Sequence, residues 1–328
     1  MFTQRLCDGL NARGIRAEIA WLPRRAEFLP WTVPAPRPPV WAKVVHVNTW
    51  LHRRFVSADL AVVATMHHSV HDPVLRPYKS HAQALYHRWW VMPMESWILH
   101  RADAITTVSD YTARKIREHF GIDSVHVIRN GMPVPEQISL ERDSKPHQPF
   151  RLLYVGSWSR RKGADLLGPI MQRLGEDFEL RYTAHPDARA RLPANCRSLG
   201  RPDQRGLRQA YLDSDALLFP TRLEGFGQVV LEAMAYGLPV ISTNGSALPE
   251  VVENGATGIL CPQDDSAAFA AAARRLQRQH ELWSSMSKAA LAHARRPAFG
   301  VASMVDSYAS VYEAVCRSRD QSGEAHGN

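Results

Sequence analysis

Ten short apolar runs, separated by helical patterns and turn residues, limit this chain's fold more than any other feature. The first five are AEIAWL (17–22), KVVHVN (43–48), LAVVATM (60–66), AITTVS (104–109) and VHVIRN (125–130). The second five are RLLYVG (151–156), FELRYTA (178–184), DALLFP (215–220), LPVIST (238–243) and TGILCP (257–262). Strand-like runs that alternate with helices are the mark of an α/β chain with parallel sheets, and here they form two Rossmann-like sets. The 328 residues suit two domains of about 100 to 200 residues each. Between the sets, GMPVPEQISLERDSKPHQPF (131–150) has prolines, mixed charge and no sustained apolar period, so it reads as a linker. The expected division is 1–131, 132–297, and 298–328 as a C-terminal helix with a disordered polar tail. LPWTVPAPRPPV (29–40) reads as a loop inside the first domain, because apolar structure resumes directly after it.

No apolar run approaches the roughly 18 to 20 residues that span a bilayer, and the N-terminus lacks the plan of a secretory signal, so a cytoplasmic location is expected. Cys7, Cys196, Cys261 and Cys316 are scattered without a C-x-x-C pair, which argues against a zinc site and a disulfide framework. The net charge is +8, and residues 1–131 hold 17 Lys/Arg against 10 Asp/Glu. Such a bias favours an anionic partner: a phosphorylated substrate, an acidic membrane surface or nucleic acid. No nucleic-acid motif accompanies it, and a merely soluble basic face fits the same numbers.

The stretch LEGFGQVVLEAMAYGLPVIST (223–243) carries the chemistry. Good helix formers from Gln228 to Tyr236, then Gly237 and Pro239, predict a helix entered through the turn Gly225-Phe226-Gly227. The amides and positive dipole end at Gly227 to Val229 make an anion site, and the glycines let a phosphate approach the backbone. Glu232, in the helix's second turn, is placed to accept hydrogen bonds from a vicinal diol such as ribose. Glu224 lies on the other side of the phosphate position. Two carboxylates around an anion site would repel that anion unless each binds hydroxyls, and a nucleotide sugar supplies hydroxyls at both ends.

At these residues the chain resembles the retaining glycosyltransferases of family 4, which have the GT-B fold: two facing Rossmann-like domains with a cleft between them and a C-terminal helix returning to the N-terminal domain. The family's E-x7-E signature stands here as Glu224 to Glu232. The resemblance implies that Glu224 contacts the donor sugar, Glu232 the ribose, and the amides around Gln228 and Val229 the pyrophosphate, with Gly225, Phe226 and Gly227 forming the turn. A second match, LLYVGSWSRRKGADLL (152–167), resembles the family's strand, loop and KG-headed helix. By that match Gly156 opens the loop and Lys162 is the pyrophosphate-binding lysine. A fixed cation there neutralises charge on the departing diphosphate, as a metal does in other transferases. The family's arginine after the first glycine is replaced by Ser157, so Arg160 or Arg161 is expected to substitute. His67, at the end of VVATMHHSVHDP, aligns with the family's acceptor-side histidine, with His68 in reserve.

The resemblance therefore implies sugar transfer from a nucleoside diphosphate sugar to a glycan, lipid-linked or small-molecule acceptor, with retention, no bound metal and no cofactor beyond the donor. A metal site from His67, His71 and Asp72 is the rival chemistry, and hydrogen-bonded strand-end histidines are the plainer reading. Asp213-Ser214-Asp215 mimics a D-x-D metal motif but reads as a solvated turn. Tyr86, Trp89, Trp90 and Trp97 either pack into a core or dock on a membrane beside the basic surface. FTQRLCDGLNARGI matches the family's first helix, while its first strand and glycine-rich loop have no counterpart, so a truncated start is expected. A catalytically impaired sugar-nucleotide-binding protein is the alternative which that departure raises.

Overall fold

The computed structural model describes residues 2–133, 145–183 and 192–325, with side chains described to residue 321. Two compact units result, one of residues 1–131 with 297–328 and one of residues 132–296. Residues 134–144 of the expected linker lie outside the described residues.

The first unit is built on four parallel strands in the order β1 (Val44–Asn48), β2 (Ala61–Met66), β3 (Ala104–Thr107), β4 (His126–Val127). All six residues of β2 are buried, because its two faces are both covered. Ala61 and Val63 pack with Leu6 and Leu10 of α1 (Phe2–Asn11) and with Val305 and Tyr308 of the last helix. Val62 and Ala64 face Ile98. That residue sits on α3 (Met92–Arg101), which continues α2 (His81–Tyr86) through a π turn at His87–Val91. The helix α4 (Asp110–Phe120) joins β3 to β4 and is capped by Ser109 Oγ, which accepts from the Thr112 amide at 3.1 Å.

The second unit holds β5 (Phe150–Val155), α5 (Ala164–Leu174), β6 (Phe178–Thr183), β7 (Cys196–Gly200), α6 (Gln204–Leu212), β8 (Ala216–Phe219), α7 (Gln228–Ala235), β9 (Val240–Thr243), β10 (Gly258–Cys261), α8 (Ser266–Arg278) and α9 (His280–Ala294). Its six strands are parallel in the order β10-β9-β8-β5-β6-β7. The last helix, α10 (Val301–Ala325), returns to the first unit.

Four expectations are corrected. Residues 17–22 form no strand: the side chain of Asn11 takes both the amide and the carbonyl of Ala17 at 3.0 Å, so a helix side chain supplies the bonds of a ladder. The edge strand β7 was not foreseen, because CRSLG is polar and only partly buried. The polar tail is helical to Ala325, anchored where the Arg319 guanidinium grips Asp103 at 3.2 Å and the Asp59 carbonyl at 3.1 Å. Asp215 is no solvated turn residue; buried, it accepts from the Arg151 amide at 2.7 Å and from His147 Nδ1 at 2.8 Å. Among the described residues no helix is long and apolar enough to cross a membrane.

Candidate active site

Read from β7, the second sheet runs β7-β6-β5-β8-β9-β10, the doubly wound Rossmann order, and it reverses between β5 and β8. Ligands of such sheets bind beyond the carboxyl ends of the strands at that reversal. The loops that leave β5 and β8 there carry both sequence motifs. After β5, Gly156 donates its amide to Thr183 Oγ1 at 3.0 Å, and the chain turns through a 3-10 segment at Arg160–Lys162 headed by Ser159. After β8, the chain runs through Thr221, Arg222 and Leu223 to Glu224.

Lys162 Nζ lies 2.6 Å from Glu224 Oε1. The same carboxylate oxygen accepts from Thr221 Oγ1 at 2.8 Å, and the Glu224 amide donates to Ser246 Oγ at 3.1 Å. Glu224 is 8% exposed, so the pair is mostly shielded from water. Arg161 reaches across to the Leu223 carbonyl at 3.0 Å, which clamps the two loops together.

Beyond the buried Gly225 and Phe226, Gly227 adopts φ 91° and ψ 45° as the residue before α7, a left-handed conformation that favours glycine. The first-turn amides of Gln228 and Val229 have no partner within their own helix and point out of its N-terminus. Gln228 Nε2 is buried there without a hydrogen-bond partner among the described residues. One turn on, Glu232 accepts from Tyr211 Oη at 3.3 Å, and the Tyr211 ring stacks on Tyr236 at 5.2 Å. Arg161, Lys162, Glu224, Gly225, Phe226, Gly227, Gln228, Val229 and Glu232 thus belong to the loops and helix at one sheet reversal, with Gly156 opening the first loop.

His67 belongs to the first unit, one residue past β2, where the Phe2 ring packs edge-on at 4.8 Å between centroids. His71 and Asp72 have other work. His71 Nε2 is 2.7 Å from Glu95 Oε2, and Asp72 accepts from the Val74 amide at 3.0 Å and from the Tyr111 hydroxyl. Among the described residues no group of three or more His, Cys, Asp or Glu is arranged to hold a metal ion.

Two family descriptions match the chain: "Glycosyltransferase Family 4" over residues 39–134 and "Glycosyl transferases group 1" over residues 149–279. These matches support a family 4-type glycosyltransferase. A glycogen synthase of Mycobacterium tuberculosis is 30% identical over 258 residues, covering 70% of this chain and 59% of that protein. A phosphatidyl-myo-inositol mannosyltransferase of the same organism is 35% identical over 178 residues, covering 50% of this chain and 47% of its own. The chain therefore spans 59% or less of the length of these two relatives. Its fold is that of the sucrose-phosphate synthase of Thermosynechococcus elongatus, with a TM-score of 0.71 at 21% identity over 84% of this chain and 74% of that one. Anabaena HepE, solved with UDP-glucose, gives a TM-score of 0.64 at 17% identity over 78% of this chain and 72% of its own. The fold class is GT-B.

Two braces of this chain carried no signal in the sequence. The Arg222 guanidinium, 3% exposed, forks onto Asp165 at 2.7 and 2.9 Å and onto Asp264 at 2.6 Å. Burial opposes its charge, but the hydrogen bonds it donates to those carboxylates prevail and hold it ionised. In the first unit, fully buried Glu95 gathers Thr49 Oγ1 at 3.0 Å, Trp50 Nε1 at 2.9 Å and His71, fixing the segment after β2.

Burial pushes the His67 imidazole down to about 4 and the His46 imidazole down to about 3. Both are neutral at neutral pH. An imidazole whose folded pKa lies below its unfolded value of 6.5 stabilises fully above that value, and the contribution is lost as pH falls toward the folded one. Between about pH 7.5 and about pH 5 the chain is expected to lose about 2 kcal/mol for each of the two histidines, seen as a falling denaturation midpoint. An unchanged pH slope in a His67→Gln chain would remove His67 from this account.

Proposed function

We propose that the chain moves a sugar from a nucleoside diphosphate sugar to a glycan, lipid-linked or small-molecule acceptor with retention at the anomeric carbon. The observation that supports this best is the Lys162–Glu224 pair, 2.6 Å apart, at the sheet reversal that also carries the N-terminus of α7. In this reading the diphosphate lies on the Gln228 and Val229 amides, and Lys162 shares its charge between Glu224 and the phosphate. Glu224 takes a sugar hydroxyl and Glu232 the ribose hydroxyls. A nucleoside diphosphate is already a good leaving group, so the chain has to position the reactants and stabilise the departing charge. The C1–O bond to phosphate breaks, the acceptor oxygen bonds C1 on the same face, and the acceptor proton passes to the departing phosphate oxygen. Neither glutamate has to protonate anything. The resemblance assigns His67 to the sugar, and its neutral imidazole is suited to one hydrogen bond there.

Lys162 and the helix N-terminus supply the positive charge, so the mechanism needs no metal ion and turnover is expected to persist in EDTA. The test is a thermal-shift panel of UDP, GDP, ADP and their sugars. UDP comes first, because HepE was solved with UDP-glucose and a pneumococcal O-GlcNAc transferase with UDP and GlcNAc. A ligand at 100 times its Kd adds about 2.7 kcal/mol of stability. Glu232→Gln is expected to weaken binding about tenfold for the ribonucleotide and little for its 2′-deoxy form. A midpoint that no nucleoside diphosphate raises refutes the donor site.

A further inference from the structure

Among the described residues, the large hydrophobic side chains left exposed belong to the first unit with the single exception of Trp158. They concentrate on two segments. One is the loop 21–31, with Trp21 71% exposed and Trp31 62% exposed beside Phe28 and Leu29. The other is α2 with the π turn that follows, where Leu85 and Trp89, the latter 68% exposed, lie one helical turn apart. The two segments are fastened to each other. Tyr86 Oη donates to Glu27 at 3.0 Å, Trp90 Nε1 donates to the Glu27 carbonyl at 3.0 Å, and the Phe28 and Tyr86 rings meet at 5.7 Å. These bonds hold Tyr86 and Trp90 in place while Phe28, Leu29, Trp31, Leu85 and Trp89 stay in contact with water. No residue of α2 is buried, so the segment projects from the unit that carries it.

Its charge has one sign. Arg24, Arg25 and Arg88 are exposed within these segments, and Arg88 lies 5.5 Å over the Trp89 ring. Glu27 is the only carboxylate in residues 21–40 and 81–91, and it is already hydrogen-bonded to Tyr86. We propose that this face docks on an anionic lipid surface. Tryptophan bodies favour the boundary between headgroup and acyl chain, while arginines beside them meet lipid phosphates. An apolar face without arginines would fit another protein as well, but a projecting face of aromatic residues and arginines whose one carboxylate is occupied matches a flat polyanion. The docking requires nothing of the diphosphate site.

The test is flotation of the whole chain with vesicles of phosphatidylcholine alone and of phosphatidylcholine with about 30 mol% phosphatidylglycerol. Binding is expected only to the anionic vesicles, and it should weaken as salt rises. Trp31→Ser with Trp89→Ser should reduce it at least about tenfold, and Arg24→Ser with Arg25→Ser about fivefold for each arginine, with thermal midpoints unchanged. No binding to anionic vesicles, or binding undiminished in both double variants, overturns the proposal. Self-association that Trp31→Ser with Trp89→Ser abolishes, in a chain that ignores vesicles, would give the face to a second copy and overturn it equally.

Discussion

Lys162→Ala is expected to lower kcat by about 10² or more, read as nucleoside diphosphate released from the nucleotide sugar that the thermal-shift panel selects. The cation lies 2.6 Å from Glu224 Oε1 in a pair whose side chains are 15% and 11% exposed. Its loss does two separable things. It removes the charge that neutralises the departing phosphate, which acts on the transition state and therefore on kcat. It also leaves a shielded carboxylate with Thr221 Oγ1 as its remaining donor from this cluster, and breaking a buried pair costs about 3 to 5 kcal/mol of stability. Lys162→Ala combined with Glu224→Gln tells the two apart, since a neutral amide beside Thr221 needs no cation. The double variant should regain most of the thermal midpoint and none of the rate. Lys162→Arg keeps the charge but replaces a compact ammonium with a planar fork, and an intermediate rate is expected. If Lys162→Ala leaves kcat unchanged, Lys162 has no part in the transition state.

The sequence revealed those features that one residue type or one period determines. Continuous apolar runs such as LAVVATM became β2, buried on both faces, and Gly227 announced the left-handed entry to α7. Residues 17–22 have the composition of a strand, but a ladder needs a neighbour as well as a propensity, and Asn11 supplies the bonds instead. The edge strand β7 shows the converse, since CRSLG pairs with β6 despite a polar composition that hides it. At the site, the residues of the two motifs were legible because each spacing has a local mechanical reason. Arg222 was not. Its role depends on Asp165 and Asp264, which lie 57 and 42 positions away in sequence and meet it only once α5 and the loop after β10 have folded. Glu95 was hidden for the same reason, as a helix residue whose partners Thr49, Trp50 and His71 come from two other segments.

Gly163→Ala removes no charged group of the site and should still damage both its stability and its rate. Gly163 has φ 70° and ψ 20°, and a Cβ built there would lie 1.9 Å from the Pro220 carbonyl oxygen and 2.6 Å from its carbon. Both obstacles are backbone, so no side-chain rotation relieves them. Either the start of α5 or the end of β8 has to move, and these two pieces of chain carry Lys162 and Glu224. Gly121 is the internal control, with φ 68° and ψ 25° and nothing within 4 Å of its Cβ position. Gly121→Ala should cost only the left-handed penalty of about 1 to 2 kcal/mol. Gly163→Ala bears that penalty and overpacking of about 1 to 3 kcal/mol besides. The displacement should also separate Lys162 from Glu224, and a misplacement of about 1 Å can cost about 10² in rate. Equal midpoint shifts in the two variants, with the rate intact in Gly163→Ala, would mean that the contact with Pro220 does not hold the two loops in register. A larger shift and a lost rate for Gly163→Ala alone would show that one missing methyl group keeps the cation on its carboxylate.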